Sequence, residues 1–162
     1  EYRFGDSPVG SSLSWYGMRN FLNGHMATNG KKFFFVNTHL DHKGVEARKK
    51  GLQLVVDKIA AMNPDGYPMV LTGDFNVTPD DECLVDLDKQ MKSARTIAEV
   101  TDNYTTYNSW GGNAPQKEYV IDYIYVSGFS KVPEFYTNLK PYADRQFISD
   151  HYPIVADIIM EE

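Results

Sequence analysis

Two apolar runs enclose one amphipathic stretch, and that arrangement constrains the architecture before any single residue is considered. "KKFFFVNTHL" (31–40) and "YPMVLTGDFN" (67–76) are near-continuous apolar segments that end in polar groups. Neither alternates apolar with polar, so each reads as a strand covered on both faces. Between them, "GVEARKKGLQLVVDKIAAM" (44–62) has helical period. Leu52, Val55, Val56 and Ile59 share one face, and Arg48, Lys49 and Lys58 lie largely elsewhere. "NPDGYP" ends that helix, and "TPDDECLVDLDKQM" (78–91) carries a helix-start signature: Thr78 as cap, Pro79 at the first position, acids in the first turn. From residue 101 the pattern turns to β in "NYTTYNSW", "EYVIDYIYV", "VPEFYTN" and "YPIVADIIM", separated by Gly, Asn, Pro and Ser. This order predicts an α/β layered domain. Residues 1–30, with "GDSPVGSS" and "NGHMATNG", read as irregular and turn-rich. At 162 residues, with no repeat or linker, the chain is expected to form a single domain, 1–162.

Bulk chemistry narrows the function classes. No apolar run approaches the roughly 18 residues of a membrane span. A formal charge of −6 argues against broad electrostatic binding to a polyanion such as nucleic acid, although a local basic patch stays open. Cys83 is the single cysteine, so neither an internal disulfide nor a cysteine-built zinc site can form. The chain opens "EYRF", without an initiator Met or a signal-like apolar segment, which leaves the compartment open and suggests a fragment.

The polar ends of the strands carry the chemistry. They are "NTHLDH" (37–42), "GDFN" (73–76), "VIDYIYV" (120–126) and "SDHYPI" (149–154). Strand side chains alternate faces, so Asp74 and Asn76 share one side and Phe75 takes the other. Asp122 falls on the same face as Val120, Ile124 and Val126, where an unpaired carboxylate is expensive. His151 is its candidate partner, an arrangement that makes a poised proton donor or acceptor. The ordinary alternative is that Asp122 bonds backbone donors or Arg145. Taken singly, each other cluster also has a plain structural reading. Asp74 and Asn76 shape a turn, His39 is a satisfied core histidine, and Asp150 and His151 are loop polar groups. His25 reads as surface. The simultaneous presence of all four clusters shifts the balance toward a site.

The four motifs "NTHL", "GDFN", "IDYIYV" and "SDHYPI", in this order, resemble the endonuclease/exonuclease/phosphatase family. That family includes deoxyribonuclease-like nucleases, apurinic endonucleases, sphingomyelinases and inositol-phosphate phosphatases. The resemblance runs from about residue 32 to the C-terminus, more loosely from residue 1. "THLDH" also invites comparison with the metallo-β-lactamase fold. A chain holding only His25, His39, His42 and His151 is too poor in imidazole for that binuclear site. The family resemblance implies part of a four-layer α/β sandwich, two mixed sheets face to face with helices outside. It implies hydrolysis of a phosphoester assisted by Mg²⁺ or Mn²⁺. Asp74 is implied to orient or deprotonate the attacking water, and Asn76 to hold that water and a phosphate oxygen. His39 is implied to donate to a non-bridging oxygen, Asp122 to orient His151, and His151 to contact the phosphate. Asp150 is implied to help bind the metal. Such a division suits attack on an anionic phosphorus, which needs an oriented nucleophile, donors and a hard cation.

The family's metal-binding Glu, in a motif like "QE", and the strand with a catalytic Asn before it have no counterpart in this sequence. The expectation is a domain incomplete at its N-terminus: a fragment, a chain completed by a partner, or a truncation that lost activity. A half-sandwich would invite self-association. Arg48 and Arg145 are candidates to meet a phosphate, and Trp110 and Tyr107 in "TYNSWGGN" to stack on a base, sugar or lipid head group or to pack on the sheet edge. The expected substrate is a phosphorylated small molecule, lipid or nucleotide. DNA or RNA cleavage is the alternative, and so is a non-catalytic phosphate-binding module.

Overall fold

The computed structural model describes residues 32–112, 119–129 and 131–160, so the sequence readings for residues 1–30, His25 among them, lie outside the described residues. The elements run β1 (Phe34–His39), α1 (Val45–Met62), β2 (Met69–Asp74), α2 (Val85–Gln90), β3 (Lys92–Ser93), α3 (Ala94–Ile97), β4 (Asp122–Ser127), β5 (Lys131–Thr137) and β6 (Ile154–Ile159). One sheet has the order β1-β2-β4-β3, with β1 and β2 parallel and β4 antiparallel to β2; β5 and β6 form a second, antiparallel pair.

The uninterrupted apolar runs are explained by where β2 sits. It lies between β1 and β4 and is covered on both faces. On one side Leu71 and Phe75 pack with Val36 and with Leu52, Val55 and Val56 of α1. On the other, Val70, Ile124 and Val126 meet Val132 and Phe135 of β5, with Ile154 and Ala156 of β6 against them. The described residues thus form three layers, helices on a mixed sheet on a second sheet. α1 buries the face the period predicts, namely Ala47, Gly51, Leu52, Val55, Val56 and Ile59. Asp41 shapes the entry to that helix, its Oδ1 accepting from the backbone N–H groups of Lys43 (2.7 Å) and Gly44 (2.6 Å). No helix among the described residues is long and apolar enough to cross a membrane.

Two local expectations are corrected. The helix start lies beyond Thr78. Asp81 Oδ1 accepts from Cys83 N at 2.9 Å and caps a short 3-10 turn, Glu82–Leu84, that runs into α2. Thr78 instead bonds Asp80 at 2.5 Å, and its carbonyl accepts from Asp81 N, so "TPDD" closes a turn before any helix begins. "NYTTYNSW" is not a strand. Apart from a bridge between Tyr107 and His151 and the start of a 3-10 turn, Ser109–Gly111, it is irregular, because its hydroxyls and amide bond the backbone of neighbouring segments.

Gly73 sits where β1 and β2 approach, opposite Thr38 and at φ 154°. A Cβ at this position would land against the Thr38 carbonyl oxygen, well inside contact distance. Gly73→Ala is therefore expected to destabilise the fold by at least about 2 kcal/mol in urea melts, because either β1 or the β2 backbone must shift.

Candidate active site

The inner face of the main sheet changes character row by row. Phe35, Val70 and Val126 form an apolar row, Asn37, Thr72 and Ile124 a mixed one, and His39, Asp74 and Asp122 the last. Strand register alone sets this last row. His39 is opposite Asp74 on β1 and β2, and Asp74 is opposite Asp122 on β2 and β4. In the middle row Thr72 Oγ1 donates to Asn37 Oδ1 at 2.9 Å. The chain leaving β2 is fastened beneath. Phe75 is fully buried and stacks on Tyr123 at 4.9 Å, and the Tyr123 hydroxyl donates to the carbonyls of Val77 (2.7 Å) and Val120 (3.2 Å). Asn76 takes a left-handed backbone (φ 53°), which Asn tolerates, and its Nδ2 donates to Leu40 O at 2.9 Å.

His151 completes the site from the turn before β6. Its Nδ1 lies 2.8 Å from Asp122 Oδ2, so Asp122 has the imidazole partner its position demands, and that carboxylate oxygen goes to His151. Asp74 is held at both oxygens. Oδ1 accepts from Asn76 N at 2.8 Å, and Oδ2 lies 3.3 Å from His39 Nε2 and 3.8 Å from His151 Nε2. The Asp74 side chain is only 13% exposed while that of His39 is 61% exposed, so the row opens to solvent on the His39 side. Burial pushes the Asp74 carboxyl above its ordinary value, and the facing Asp122 carboxylate pushes it the same way; the Asn76 N–H and the two imidazoles oppose this. The Asp122 hydrogen bond raises His151 most. Burial opposes it, and the charges of Asp122, Asp74 and Asp150 reinforce it. The two shifts converge: a carboxyl that accepts a proton more readily stands beside an imidazole that holds one more tightly. With Nδ1–H on Asp122, a protonated His151 presents Nε2–H toward the site.

The other predicted residues are distributed differently. Asp150 is half-buried, with Ser149 Oγ 3.4 Å from its carboxylate, and its carbonyl accepts from the backbone N–H groups of Asn108 (2.7 Å) and Ser109 (3.1 Å). Trp110 sits on the same loop and is 62% exposed. Tyr107 packs edge-on against the His151 ring, with centroids 5.2 Å apart, which favours packing for this side chain. Arg48 Nη1 donates to the Asp41 carbonyl at 3.1 Å, and Arg145 is exposed in a tight turn paired with Tyr142; neither bonds Asp74, Asp122 or His151. Sequence reasoning missed the fully buried Thr106 and the buried Asn108. Asn108 Nδ2 donates to Ser149 O at 3.1 Å. A run of Thr and Asn inside a β-patterned stretch was the available signal.

Asp74, Asp122 and His151 each offer a ligand atom within 4.8 Å of the others. Two facing carboxylates concentrate negative charge that a divalent cation relieves, and their oxygens suit a hard ion such as Mg²⁺ or Mn²⁺. The donor set fits such a cation through its oxygens. Imidazole is the unnatural member, and His151 Nδ1 is already engaged by Asp122.

With this geometry in place, the chain is recognised: it belongs to the endonuclease/exonuclease/phosphatase family, whose profile matches residues 7–151. Among solved structures, a Bacteroides vulgatus family member is 33% identical with a TM-score of 0.71, over 84% of this chain and 52% of that one. A Bacteroides thetaiotaomicron mannosyl-6-phosphatase is 26% identical with a TM-score of 0.73, over 82% of this chain and 53% of its own. Truncated Caenorhabditis elegans TDP2 is 28% identical with a TM-score of 0.63, over 81% of this chain and 56% of its own. No curated protein sequence matches the chain. The chain spans about half the length of the solved structures it matches.

Replacing Asp122 by Asn removes the largest cause of the raised His151 pKa. The His151 pKa is expected to fall in the variant, read from the ring Hε1 chemical shift across a pH titration. A folded-state value above the unfolded one stabilises the native state at pH below about 6.5, and that stability is lost as pH rises through the raised value. The wild-type chain should show this loss in melts across the same pH range, and Asp122→Asn should show less of it.

Proposed function

We propose that the site hydrolyses a phosphoester by direct attack of water, assisted by a divalent cation, on a phosphorylated small molecule or lipid head group. The observation that carries this reading is the setting of Asp74: one oxygen fixed by the Asn76 N–H, the other between the Nε2 atoms of two histidines. A water hydrogen-bonded to Asp74 is oriented for attack. As its oxygen bonds to phosphorus and the bond to the leaving oxygen breaks, its proton passes to the Asp74 carboxylate, and the leaving oxygen departs as an alkoxide that takes its proton from solvent. The raised pKa of that carboxyl favours the transfer. His151, charged and held by Asp122, donates from Nε2 to a non-bridging phosphate oxygen as negative charge builds there, and His39 serves a second oxygen. Asn76 fixes the Asp74 carboxylate through its backbone and ties the loop to β1 through its amide.

A bound Mg²⁺ or Mn²⁺, with Asp150 as its candidate ligand, would neutralise charge on the phosphate. Family membership and the mannosyl-6-phosphatase relative support phosphoester chemistry. A net charge of −6 favours a small ester over a long nucleic acid, whose binding needs many phosphate contacts. Trp110, exposed on the loop that bonds the Asp150 carbonyl, is the proposed contact for the group beyond the phosphate.

Turnover of chromogenic phosphomonoesters and diesters is expected to require Mg²⁺ or Mn²⁺ and to stop with EDTA. Asp74→Asn should lower kcat by about a hundredfold to ten-thousandfold. The rate should fall at low pH as Asp74 is protonated and at high pH as His151 loses its proton. Phosphate binding unchanged by Asp74→Asn, with no turnover in the wild type, would instead identify a non-catalytic binding module.

A further inference from the structure

We propose that Thr106 is a positioning residue for the Asp122–His151 pair, its hydroxyl and carbonyl together fixing the strand that carries the carboxylate against the turn that carries the imidazole. The proposal rests on the reading of this site as hydrolytic. Thr106 is fully buried, and its Oγ1 accepts from two successive backbone amides, Ile121 N at 3.0 Å and Asp122 N at 3.1 Å. These amides lie at the start of β4, beyond the stretch that β3 pairs among the described residues, Tyr125 and Val126. The Thr106 amide donates to Tyr119 O at 3.1 Å, and its carbonyl accepts from Tyr152 N, the residue after His151, at 2.7 Å.

One residue thus bonds the amide of Asp122 and the amide that follows His151, linking the backbones of a pair that lies 29 positions apart in the chain. Its neighbours act around it. Thr105 Oγ1 donates to the Tyr119 carbonyl at 2.7 Å, and Tyr107 packs on the His151 ring. Among the described residues, Thr106 accepts from the Asp122 amide. Without the hydroxyl, two amides lose their acceptor in a buried place, and the backbone of Asp122 must move to find another. A catalytic group misplaced by about 1 Å loses on the order of a hundredfold in rate.

Thr106→Val keeps the shape and removes the acceptor; Thr106→Ser keeps the acceptor. In the intact protein, Thr106→Val is expected to lower kcat by about tenfold to a hundredfold with KM little changed, and Thr106→Ser to retain most activity. In an Asp122→Asn background the same Thr106→Val change should cost little further, because the pair it positions is already broken. An equal loss in both backgrounds would overturn the proposal, as would full activity in Thr106→Val. A readout independent of turnover is the deshielded proton on His151 Nδ1, assigned by its loss in Asp122→Asn. Thr106→Val should shift or broaden this resonance while Thr106→Ser keeps it. An unchanged resonance in folded Thr106→Val would overturn the proposal. If the wild type cleaves no phosphoester, the hydrolytic reading fails while the resonance still decides whether Thr106 sets the pair.

Discussion

Asp74 and Asp122 stand directly opposite each other on neighbouring antiparallel strands, and like charges in that relation repel. Much of the local structure answers this repulsion. A backbone N–H takes one Asp74 oxygen, an imidazole takes one Asp122 oxygen, and a second imidazole stands beside Asp74. The pair is at the last step of the β2–β4 register, where one side opens to solvent; deeper in the sheet the same positions carry Thr72 with Ile124 and Val70 with Val126. Among the described residues, two facing carboxylates are stabilised by histidines and the backbone of a left-handed Asn, so the least favourable electrostatics of the sheet lie at its open end.

The layered fold is what allows the site to be assembled from distant segments. The mixed sheet contributes His39, Asp74 and Asp122 by register, and the connection between β5 and β6 contributes His151. The contacts between Val70, Ile124, Val126, Phe135 and the flanking β6 side chains hold those two sources together. The aromatic stack of Phe75 and Tyr123 on the helix side fixes the exit of β2. The Asp122–His151 bond is therefore a junction between sheets as well as a pair of side chains.

The buried strands, the helix face of Leu52, Val55, Val56 and Ile59, and the need of Asp122 for a partner were legible because burial writes itself into local periodicity. Asp122 stood on an apolar face, and only a hydrogen-bonded partner makes that tenable. What was illegible depends on contacts between remote backbones. "NYTTYNSW" has the β-prone composition of a strand, yet Thr106 spends its hydroxyl on amides 15 and 16 residues away. Asp81 rather than Thr78 caps the turn, a choice among adjacent polar residues that no spacing rule separates. Arg48 and Arg145 were candidates through nearness in sequence to "THLDH" and "SDH". Arg48 Nη1 bonds the Asp41 carbonyl and the Arg145 backbone closes a turn with Tyr142, contacts that nearness in sequence does not specify.

The most direct measurement is product analysis after hydrolysis of a simple phosphoester by the intact protein, with Mg²⁺, in water enriched in the heavy oxygen isotope. Attack by an Asp74-oriented water predicts one heavy oxygen in the phosphate product of each turnover and none in the released alcohol. Label in the alcohol would contradict water attack at phosphorus, and turnover that persists undiminished without Asp74 would contradict the role assigned to that carboxylate.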